Sequence, residues 1–431
     1  MSKIITDVTR RDFVKLAAGS AAAAATLTTG LHSFPAIAEG KKGHVVIIGG
    51  GYGGAVAAKY IRMTNANIDV TLIEKEKQYV SCPLSNPVIV GLRDIAVQTW
   101  SYDGLTKRGV KVIHDTATDI DPNAKTVKTQ GGVTLNYDKL IVSPGISLKW
   151  GAIEGYDEAA SEAMPHGWKA GPQTLALKKM VAGMTDGEPF IIVAPANPFR
   201  CPPGPYERAS LVAWYLQKHK PKSKVIILDA KDVFSKQKLF EGGWKQLGYN
   251  IEWRKGAEGG KVTRVDVKGK KVITDFGEET SSAINVIPPQ QAGEIAIKAG
   301  LTDDKGWCPI DPRTCESTKH KNIFVIGDAC TATPMPKSGY SANSEGKIAA
   351  AAIVAELTGN GVYDPSYLNT CYSLVAPDYG ISVALIVALK EGKLTALSEG
   401  VSPVEASREV RRQEALYAES WYQSVMLDTL G

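Results

Sequence analysis

Cysteine is the residue type in this sequence with the widest scope for chemistry. The chain has six: Cys82, Cys201, Cys308, Cys315, Cys330 and Cys371. A thiolate can act as a nucleophile or a metal ligand, and two thiols can carry two electrons as a disulfide. None of the six lies in the Cys-x-x-Cys-His pattern that attaches c-type haem, and the six histidines are scattered singly. The sequence therefore predicts thiol or disulfide chemistry, no metal site, and no haem on this chain.

A glycine cluster with a downstream acid has the spacing of a dinucleotide site. Gly49, Gly51 and Gly54 form Gly-x-Gly-x-x-Gly between a short apolar run, 45–48, and a helical segment. The first glycine makes a tight turn, the second lets a pyrophosphate approach the backbone, and the third lets helix and strand pack closely. Glu74 ends the next predicted strand, where a carboxylate can hydrogen-bond the adenosine ribose. The helix N-terminus would then bind the phosphates.

Two further motifs favour FAD over NAD as the dinucleotide. The apolar segment 322–327 runs into Asp328, and a strand that ends in Gly-Asp resembles the second FAD motif of flavoproteins with two dinucleotide domains. In those proteins the aspartate binds the ribityl chain. Gly145 follows another apolar strand, at the place of that superfamily's middle motif. Asp328 alone could be an ordinary helix cap, so the prediction of FAD depends on the order of all three motifs.

The second half of the chain begins like another dinucleotide fold but lacks its glycines. The apolar run 190–194 leads into a proline-rich loop, 195–205, that contains Cys201. Prolines lack the amide donors that cradle a pyrophosphate, and their rings block its approach. The sequence therefore predicts that this domain has lost an NAD site and that Cys201 lies where NADH would approach the flavin. We expect an electron donor small enough to react at that cysteine.

Alternating strands and helices must position these residues. The strand-helix-strand order from position 44, repeated from position 190, predicts an α/β fold with two Rossmann-like domains of the glutathione reductase type. A different pattern after Gly359 predicts a C-terminal α+β domain, whose apolar run and aromatic tail could form core, a docking surface or a cover for the flavin. The predicted divisions are an FAD-binding domain at 39–155 and 300–360, a second Rossmann-like domain at 156–299, and a C-terminal domain at 361–431.

The N-terminus has the features of an export signal. Arg10 and Arg11 precede a small-residue apolar run, 16–31, and Ala38 ends a small-x-small cleavage site. The pattern resembles a twin-arginine signal, so we expect residues 1–38 to be removed and the protein to lie in the periplasm. A membrane anchor is the alternative, but the run is shorter than the ~20 residues that a spanning helix needs. No other segment is long and apolar enough for a transmembrane helix.

Composition excludes several classes of partner. The chain is 44% hydrophobic and 22% charged, as expected of an ordinary globular protein. Its formal charge of +5 is too small and too dispersed to indicate nucleic acid or an anionic membrane as a partner.

Three long motifs resemble one family. The segments 201–210, 334–343 and 366–372 are similar to the flavoprotein subunit of flavocytochrome c sulfide dehydrogenase. The similarity extends from the export signal to the last residues. It implies oxidation of hydrosulfide in the periplasm, with electrons leaving through FAD to a c-type cytochrome subunit that carries the haem. It also implies kinship with the sulfide:quinone oxidoreductases.

The resemblance assigns roles to several residues. Cys201 and Cys371 match the redox disulfide next to the flavin, with a purely structural disulfide as the alternative. Hydrosulfide would attack one sulfur, form a persulfide and free a thiolate that passes two electrons to the flavin. Glu207 matches an acid near the disulfide that could shuttle a proton, although it could also be a charge at a helix N-terminus.

Further residues would surround the flavin. Cys82 matches the position at which the family attaches FAD through a thioether, and its alternatives are a buried free cysteine or a disulfide partner. The residue before Leu84 is proline where an aromatic residue is expected. Lys337 and the helix that starts near Ser341 are expected to face the pyrimidine end and stabilise negative charge on the reduced ring. A solvated loop lysine is the alternative for Lys337.

Three cysteines have no role in the resemblance. Cys315 precedes the second flavin motif and Cys330 follows it. Their joint presence predicts an extra Cys315–Cys330 disulfide, which leaves Cys308 free.

Other functions remain open from the sequence. One is a membrane-associated sulfide:quinone oxidoreductase, and another is an NAD(P)H-linked flavoprotein reductase, which the proline-rich loop disfavours. A third is a non-catalytic flavin-binding partner of sulfur-oxidation proteins.

Overall fold

The computed structural model describes residues 43–431. The predicted signal peptide, 1–38, lies outside the described residues. The predicted fold class is confirmed, because the chain forms two parallel α/β sheets followed by an antiparallel sheet with a long helix. Within residues 43–431, no helix is both long and apolar enough to cross a membrane.

The elements are numbered in chain order. The helices are α1 Tyr52–Thr64, α2 Asn86–Ile89, α3 Asp103–Thr106, α4 Ala160–Ala163, α5 Pro172–Gly183, α6 Gly204–His219, α7 Gln237–Leu247, α8 Glu294–Lys298, α9 Gly339–Thr358 and α10 Arg408–Leu430. The strands are β1 His44–Ile48, β2 Asp69–Ile73, β3 Tyr79–Val80, β4 Thr99–Trp100, β5 Val110–Ile113, β6 Ala117–Asp121, β7 Thr126–Thr129, β8 Thr134–Asn136, β9 Lys139–Val142, β10 Ile146–Leu148, β11 Phe190–Ala194, β12 Val225–Asp229, β13 Ile251–Arg254, β14 Val262–Asp266, β15 Lys271–Thr274, β16 Gly277–Thr280, β17 Ala283–Val286, β18 Gln290–Ala292, β19 Cys308–Pro309, β20 Ile323–Val325, β21 Cys330–Thr331, β22 Ser366–Ala376, β23 Tyr379–Lys390 and β24 Lys393–Val401.

The first sheet brings three of the predicted flavin motifs to one edge. Its five strands are parallel, in the order β20-β9-β1-β2-β5. The central strand β1 is an apolar run buried on both faces, as parallel strands covered by helices require. Gly49, Ser143 and Gly327 follow β1, β9 and β20, so the three loops lie side by side at the carboxyl ends, where α/β sheets bind ligands.

The second sheet positions the proline-rich loop. Its strands are parallel in the order β13-β12-β11-β17, and β11 and β12 are buried at every position. The proline-rich loop follows β11 and leads into α6, whose first turn contains Pro205 where a missing amide costs nothing. Cys201 therefore lies just before the helix.

The C-terminal segment forms an antiparallel sheet, β22-β23-β24, and the helix α10. Strand β22 packs against both α6 and α9, and α10 packs against β23 and α1. Side chains of β22 alternate between buried and more exposed positions, as expected for a sheet with one covered face. Cys371 lies in the middle of this strand, so the packing of β22 on α6 carries it towards the loop of Cys201.

Candidate functional site

One cavity brings together four of the cysteine and acid positions selected from the sequence. A cavity of about 280 Å³ is lined by Cys82, Cys201, Glu207 and Cys371. The four come from distant parts of the chain: the segment after β3, the proline-rich loop, the first turn of α6 and the middle of β22. Most of the other lining residues are apolar, among them Trp168 and Trp421. The fold therefore places three thiols and a carboxyl group in a partly enclosed, largely apolar space.

Cys201 is held in a strained backbone conformation. Its φ of 57° lies in the left-handed region, which is costly for a residue with a side chain. The amide of Cys201 donates to the carbonyl oxygen of Lys337 (2.8 Å), and its own carbonyl accepts from the amide of Gly204 (2.9 Å). A Cβ at Gly204 would lie 3.0 Å from the sulfur of Cys201 and 2.7 Å from the ring of Trp168. Glycine at 204 thus leaves room for the thiol.

Burial is the largest influence on the pKa values of Cys201 and Cys371. Desolvation raises the pKa of Cys371 above its ordinary value, and the nearby Lys236 opposes this shift. The pKa of Cys201 is also raised, first by desolvation and then by the neighbouring Cys371 and Glu207. No disulfide joins the two cysteines in the structure, so the redox pair stays a prediction.

Glu207 is buried and fully hydrogen-bonded, so it is more than a charge at a helix terminus. One carboxyl oxygen accepts from the amide of Leu374 in β22 (2.8 Å) and the other from the side-chain amide of Asn86 (2.7 Å). Burial nevertheless raises its pKa, against the lowering effect of these donors and of Lys236 and Arg208. A carboxyl group in this state can hold a proton at higher pH than an exposed one.

The glycine fingerprint has the geometry that its spacing predicts. A Cβ at Gly49 would lie 2.2 Å from the carbonyl oxygen of Ser143, and one at Gly54 would lie 2.0 Å from that of Gly49, so both positions need glycine for packing. A Cβ at Gly51 would meet only the ring of Tyr79, at 3.6 Å, which is ordinary contact. The protein itself therefore does not require glycine at 51, and the position is free for a ligand to approach. Glu74 accepts the amide of Gly50 (2.7 Å).

Asp328 offers an unused acceptor at the same edge of the sheet. Its Oδ1 is buried and has no hydrogen-bond partner, and its other oxygen lies 3.8 Å from the guanidinium of Arg200. Burial raises the pKa of Asp328, while Arg200 and Lys337 lower it. A buried, unpartnered carboxylate oxygen is costly unless a ligand donates to it. A ribityl hydroxyl supplies such a donor, and together with the open approach at Gly51 this fits FAD.

The remaining predicted flavin residues surround this edge. Gly145 adopts φ +64°, a conformation natural to glycine, in the turn after β9. The ammonium of Lys337 donates to the carbonyl oxygens of Asp328 (2.8 Å) and Cys330 (2.7 Å) and lies over the ring of Trp307. It is thus a structured lysine and not a solvated one. Ser341 is buried in the first turn of α9, and its amide donates to the cap residue Ser338 (3.1 Å).

Cys82 shares the cavity with the thiol pair. It is half-buried, and its sulfur makes only a weak contact with the carbonyl oxygen of Trp168 (3.9 Å). The residue has no disulfide partner in the structure. An accessible thiol with no strong hydrogen bond suits a covalent attachment, although the thioether itself stays a prediction.

The predicted Cys315–Cys330 disulfide is not formed in the structure. All three leftover cysteines are buried and unpaired. The sulfur of Cys330 lies 3.5 Å from a carboxyl oxygen of Glu345, and that of Cys315 lies 3.5 Å from the hydroxyl of Tyr367. Each thiol thus has a polar partner on another element, and strand pairing places Cys330 opposite Cys308 instead.

In the second domain, the protein's own side chains hydrogen-bond the acid that would face a bound nucleotide. Asp229 ends β12, where an NAD-binding fold would present an acid to the ribose. Here the carboxylate is fully buried, because Tyr206, Lys231 and Trp253 all donate to it, the last at 3.0 Å. Because these donors occupy the Asp229 carboxylate, it is not available to a ribose, which is consistent with the predicted loss of the NAD site.

Sequence reasoning missed two cations at the site. Lys236 and Arg200 both lie close enough to the thiols to lower the pKa of Cys201. Neither belongs to a motif, and only the tertiary fold brings them to the cavity. Arg200 could have been noticed from its position next to Cys201 in the loop.

Sequence comparisons connect this geometry to known proteins. The family model described as Sulfide dehydrogenase (flavocytochrome c) flavoprotein chain, central, matches residues 174–288. Flavocytochrome c sulphide dehydrogenase, flavin-binding, matches 363–430, and Pyridine nucleotide-disulphide oxidoreductase matches 43–167. The chain therefore contains domains like those of the flavocytochrome c sulfide dehydrogenase flavoprotein, and it has homologues among the sulfide:quinone oxidoreductases.

Individual relatives differ in how much of the chain they match. Mitochondrial sulfide:quinone oxidoreductase of Mus musculus is 24% identical over 325 residues, which cover 70% of this chain and 69% of the relative. The flavocytochrome c sulfide dehydrogenase flavoprotein chain of Chlorobaculum thiosulfatiphilum is 52% identical over 44 residues, 10% of this chain and 92% of that sequence. The crystal structure of Aquifex aeolicus sulfide:quinone oxidoreductase superposes with a TM-score of 0.71 at 20% identity, covering 90% of this chain and 92% of the other.

Proposed function

We propose that this protein is an FAD-dependent sulfide dehydrogenase that oxidises hydrosulfide at the Cys201–Cys371 pair. The observation that carries the proposal is the shared cavity of the two thiols, whose lining residue Arg200 lies 3.8 Å from Asp328 of the second flavin motif. The relatives named for sulfide oxidation support the same substrate.

The first step needs only the two cysteines and the substrate. In the oxidised protein, hydrosulfide adds to one sulfur of the disulfide, the S–S bond breaks, and the bonding electron pair leaves with the other sulfur as a thiolate. The products are one cysteine persulfide and one thiolate, so atoms and charge balance. FAD, when bound, supplies the two-electron acceptor.

Other residues of the cavity would support this step. Glu207, whose pKa is raised by burial, can receive or return the proton of the persulfide. Cys82 would hold the cofactor covalently. Lys337 and the N-terminus of α9, near Ser341, would stabilise negative charge at the pyrimidine end of the flavin, and the bond from Cys201 to the Lys337 carbonyl keeps this segment next to the thiol loop.

We propose a periplasmic c-type cytochrome subunit as the electron acceptor. Two family models named for flavocytochrome c match the second domain and the C-terminal segment, and the short match to a flavocytochrome c chain is the one with high identity. The predicted twin-arginine signal supports the compartment.

A quinone is the second candidate acceptor. Its support is the extent of the matches to sulfide:quinone oxidoreductases, which cover far more of the chain than the flavocytochrome c match. An aromatic cluster of Tyr340, Tyr372 and Trp421 borders the thiol cavity and offers ring faces to a planar acceptor.

Turnover with alternative acceptors tests the function. The purified holoprotein is mixed anaerobically with sulfide and either a soluble c-type cytochrome or a short-chain quinone. Sulfide-dependent reduction of the cytochrome at the higher rate is expected. Faster reduction of the quinone would transfer the assignment to the second candidate, and no reduction of either would contradict sulfide oxidation.

A further inference from the structure

Lys236 is anchored to the strand that carries Cys371. It is the cap residue before α7 and adopts φ 59°, so the backbone turns sharply there. Its ammonium donates to the hydroxyl of Ser373 (2.9 Å) and contacts the carbonyl oxygen of Cys371 (3.4 Å). Cys371 and Ser373 point to the same face of β22, because side chains alternate along a strand. The fold therefore fixes a positive charge beside the Cys371 side chain.

The other cations near the cavity are engaged elsewhere. Arg208 is buried and donates to Asn86, Asn285 and two backbone carbonyls. Arg200 donates to the carbonyl oxygen of Trp168 and lies close to Asp328. Among the described residues Lys236 hydrogen-bonds only a hydroxyl and a carbonyl oxygen and forms no salt bridge, although it lies near enough to Glu207 to lower the pKa of that carboxyl group.

We propose that Lys236 is a positioning residue that makes Cys371 the leaving thiolate when hydrosulfide opens the Cys201–Cys371 disulfide. The inference rests on the proposed function. Hydrosulfide adds to the sulfur of Cys201, which becomes the persulfide, and the electron pair of the S–S bond passes to the sulfur of Cys371. The more stable thiolate is the better leaving group, and Lys236 stabilises the anion at Cys371.

The electrostatics of the two sulfurs agree with this order. Lys236 is the largest influence opposing the burial that raises the pKa of Cys371. For Cys201 burial is again the main cause of the raised pKa and Glu207 adds to it, while Arg200 opposes it more than Lys236 does. The groups that face Cys371 are Glu207 from α6, Lys236 from the loop before α7, Cys201 from the proline-rich loop and, at the rim of the cavity, Glu399 from β24.

Thiol reactivity tests the proposal without using sulfide. The holoprotein is reduced, treated with iodoacetamide across a pH series and digested, and alkylation of Cys371 is quantified by peptide mass spectrometry. We expect Lys236→Met to raise the apparent pKa of Cys371 by about one unit, which is about tenfold slower alkylation below the midpoint. Lys236→Arg keeps the charge and should retain most of the wild-type rate. Lys238→Met, two residues further on in an exposed position of α7, is the matched control.

A second variant separates charge from structure. Lys236→Gln removes the charge but can still donate to Ser373, and it should slow alkylation as much as Lys236→Met. If Lys236→Gln reacts like the wild type, the role is structural and the proposal fails. This outcome is independent of the proposed function, because alkylation proceeds whether or not the protein oxidises sulfide.

The persulfide position gives the second readout. After one equivalent of sulfide under anaerobic conditions, mass spectrometry should find the added sulfur on Cys201 in the wild type. In Lys236→Gln it should be divided between Cys201 and Cys371. Added sulfur on Cys371 in the wild type would overturn the proposed order.

Discussion

Replacing Glu345 with glutamine should change how the stability of the protein depends on pH. Glu345 lies in α9, is buried, and accepts the amide of Gly327 (2.6 Å) in the turn that presents Asp328. Burial raises its pKa from 4.5 to about 8, more than the Gly327 amide and Lys337 lower it. The unfolded chain therefore releases this proton at much lower pH than the folded protein does.

The direction and size of this pH effect follow from the difference between the folded and unfolded pKa values of Glu345. Because the folded pKa is raised, the stabilising contribution is fully present below 4.5 and is lost as pH rises through about 8. One group changes the free energy of unfolding by about 1.4 kcal/mol per pH unit within that window, or about 5 kcal/mol across all of it. Glutamine stays neutral, so Glu345→Gln should escape this loss while it can still accept the amide of Gly327.

Guanidinium unfolding of the holoprotein at several pH values within the window measures the effect. The free energy of unfolding of Glu345→Gln, relative to wild type, should rise by about 1.4 kcal/mol for each pH unit. Glu294→Gln is the matched control, because the side chain of Glu294 is 71% exposed. Parallel curves for wild type and Glu345→Gln would refute the raised pKa and the reasoning built on it.

Two further variants address the cofactor. Cys82→Ala should release FAD into the supernatant after acid precipitation, whereas wild-type protein should keep the flavin in the pellet; flavin freed equally from both would contradict the thioether. Gly51→Val should fold normally, since its backbone has an extended conformation and a Cβ there meets the protein only at 3.6 Å, but should purify with far less FAD because the side chain blocks the pyrophosphate. A full complement of FAD in Gly51→Val, measured by absorbance, would place the phosphates elsewhere.

Much of the two parallel sheets could be predicted from local sequence. The strand predicted at 190–194 has those bounds in the structure, and a helix, Tyr52–Thr64, follows the glycine fingerprint as predicted. Such strands are buried on both faces, so each is a short continuous apolar run between loop residues. The need for glycine at 49 and 54 could also be predicted, because both belong to the fingerprint of a strand-turn-helix unit whose close backbone contacts leave no room for a side chain.

Contacts between distant segments could not be predicted in the same way. The expected Cys315–Cys330 disulfide is not formed in the structure. The thiol of Cys330 instead contacts the carboxyl group of Glu345, which lies on a later helix. Lys236 escaped notice because its importance depends on β22 packing beside α7, and no local pattern encodes that contact. The sequence could have identified Asp229, because an acid at the end of the second strand of such a fold occupies a known position. It could not have identified the donors that hydrogen-bond Asp229, because they come from α6 and β13.

An anaerobic titration of the flavin is the most direct test of sulfide oxidation at the thiol pair. Wild-type holoprotein, Cys201→Ser and Cys371→Ser are each titrated with sulfide and, separately, with NADH, while flavin absorbance is recorded. We predict bleaching of the wild type by sulfide, loss of that bleaching in both serine variants, and no bleaching by NADH. Bleaching by NADH, or undiminished bleaching by sulfide without the two cysteines, would contradict the account.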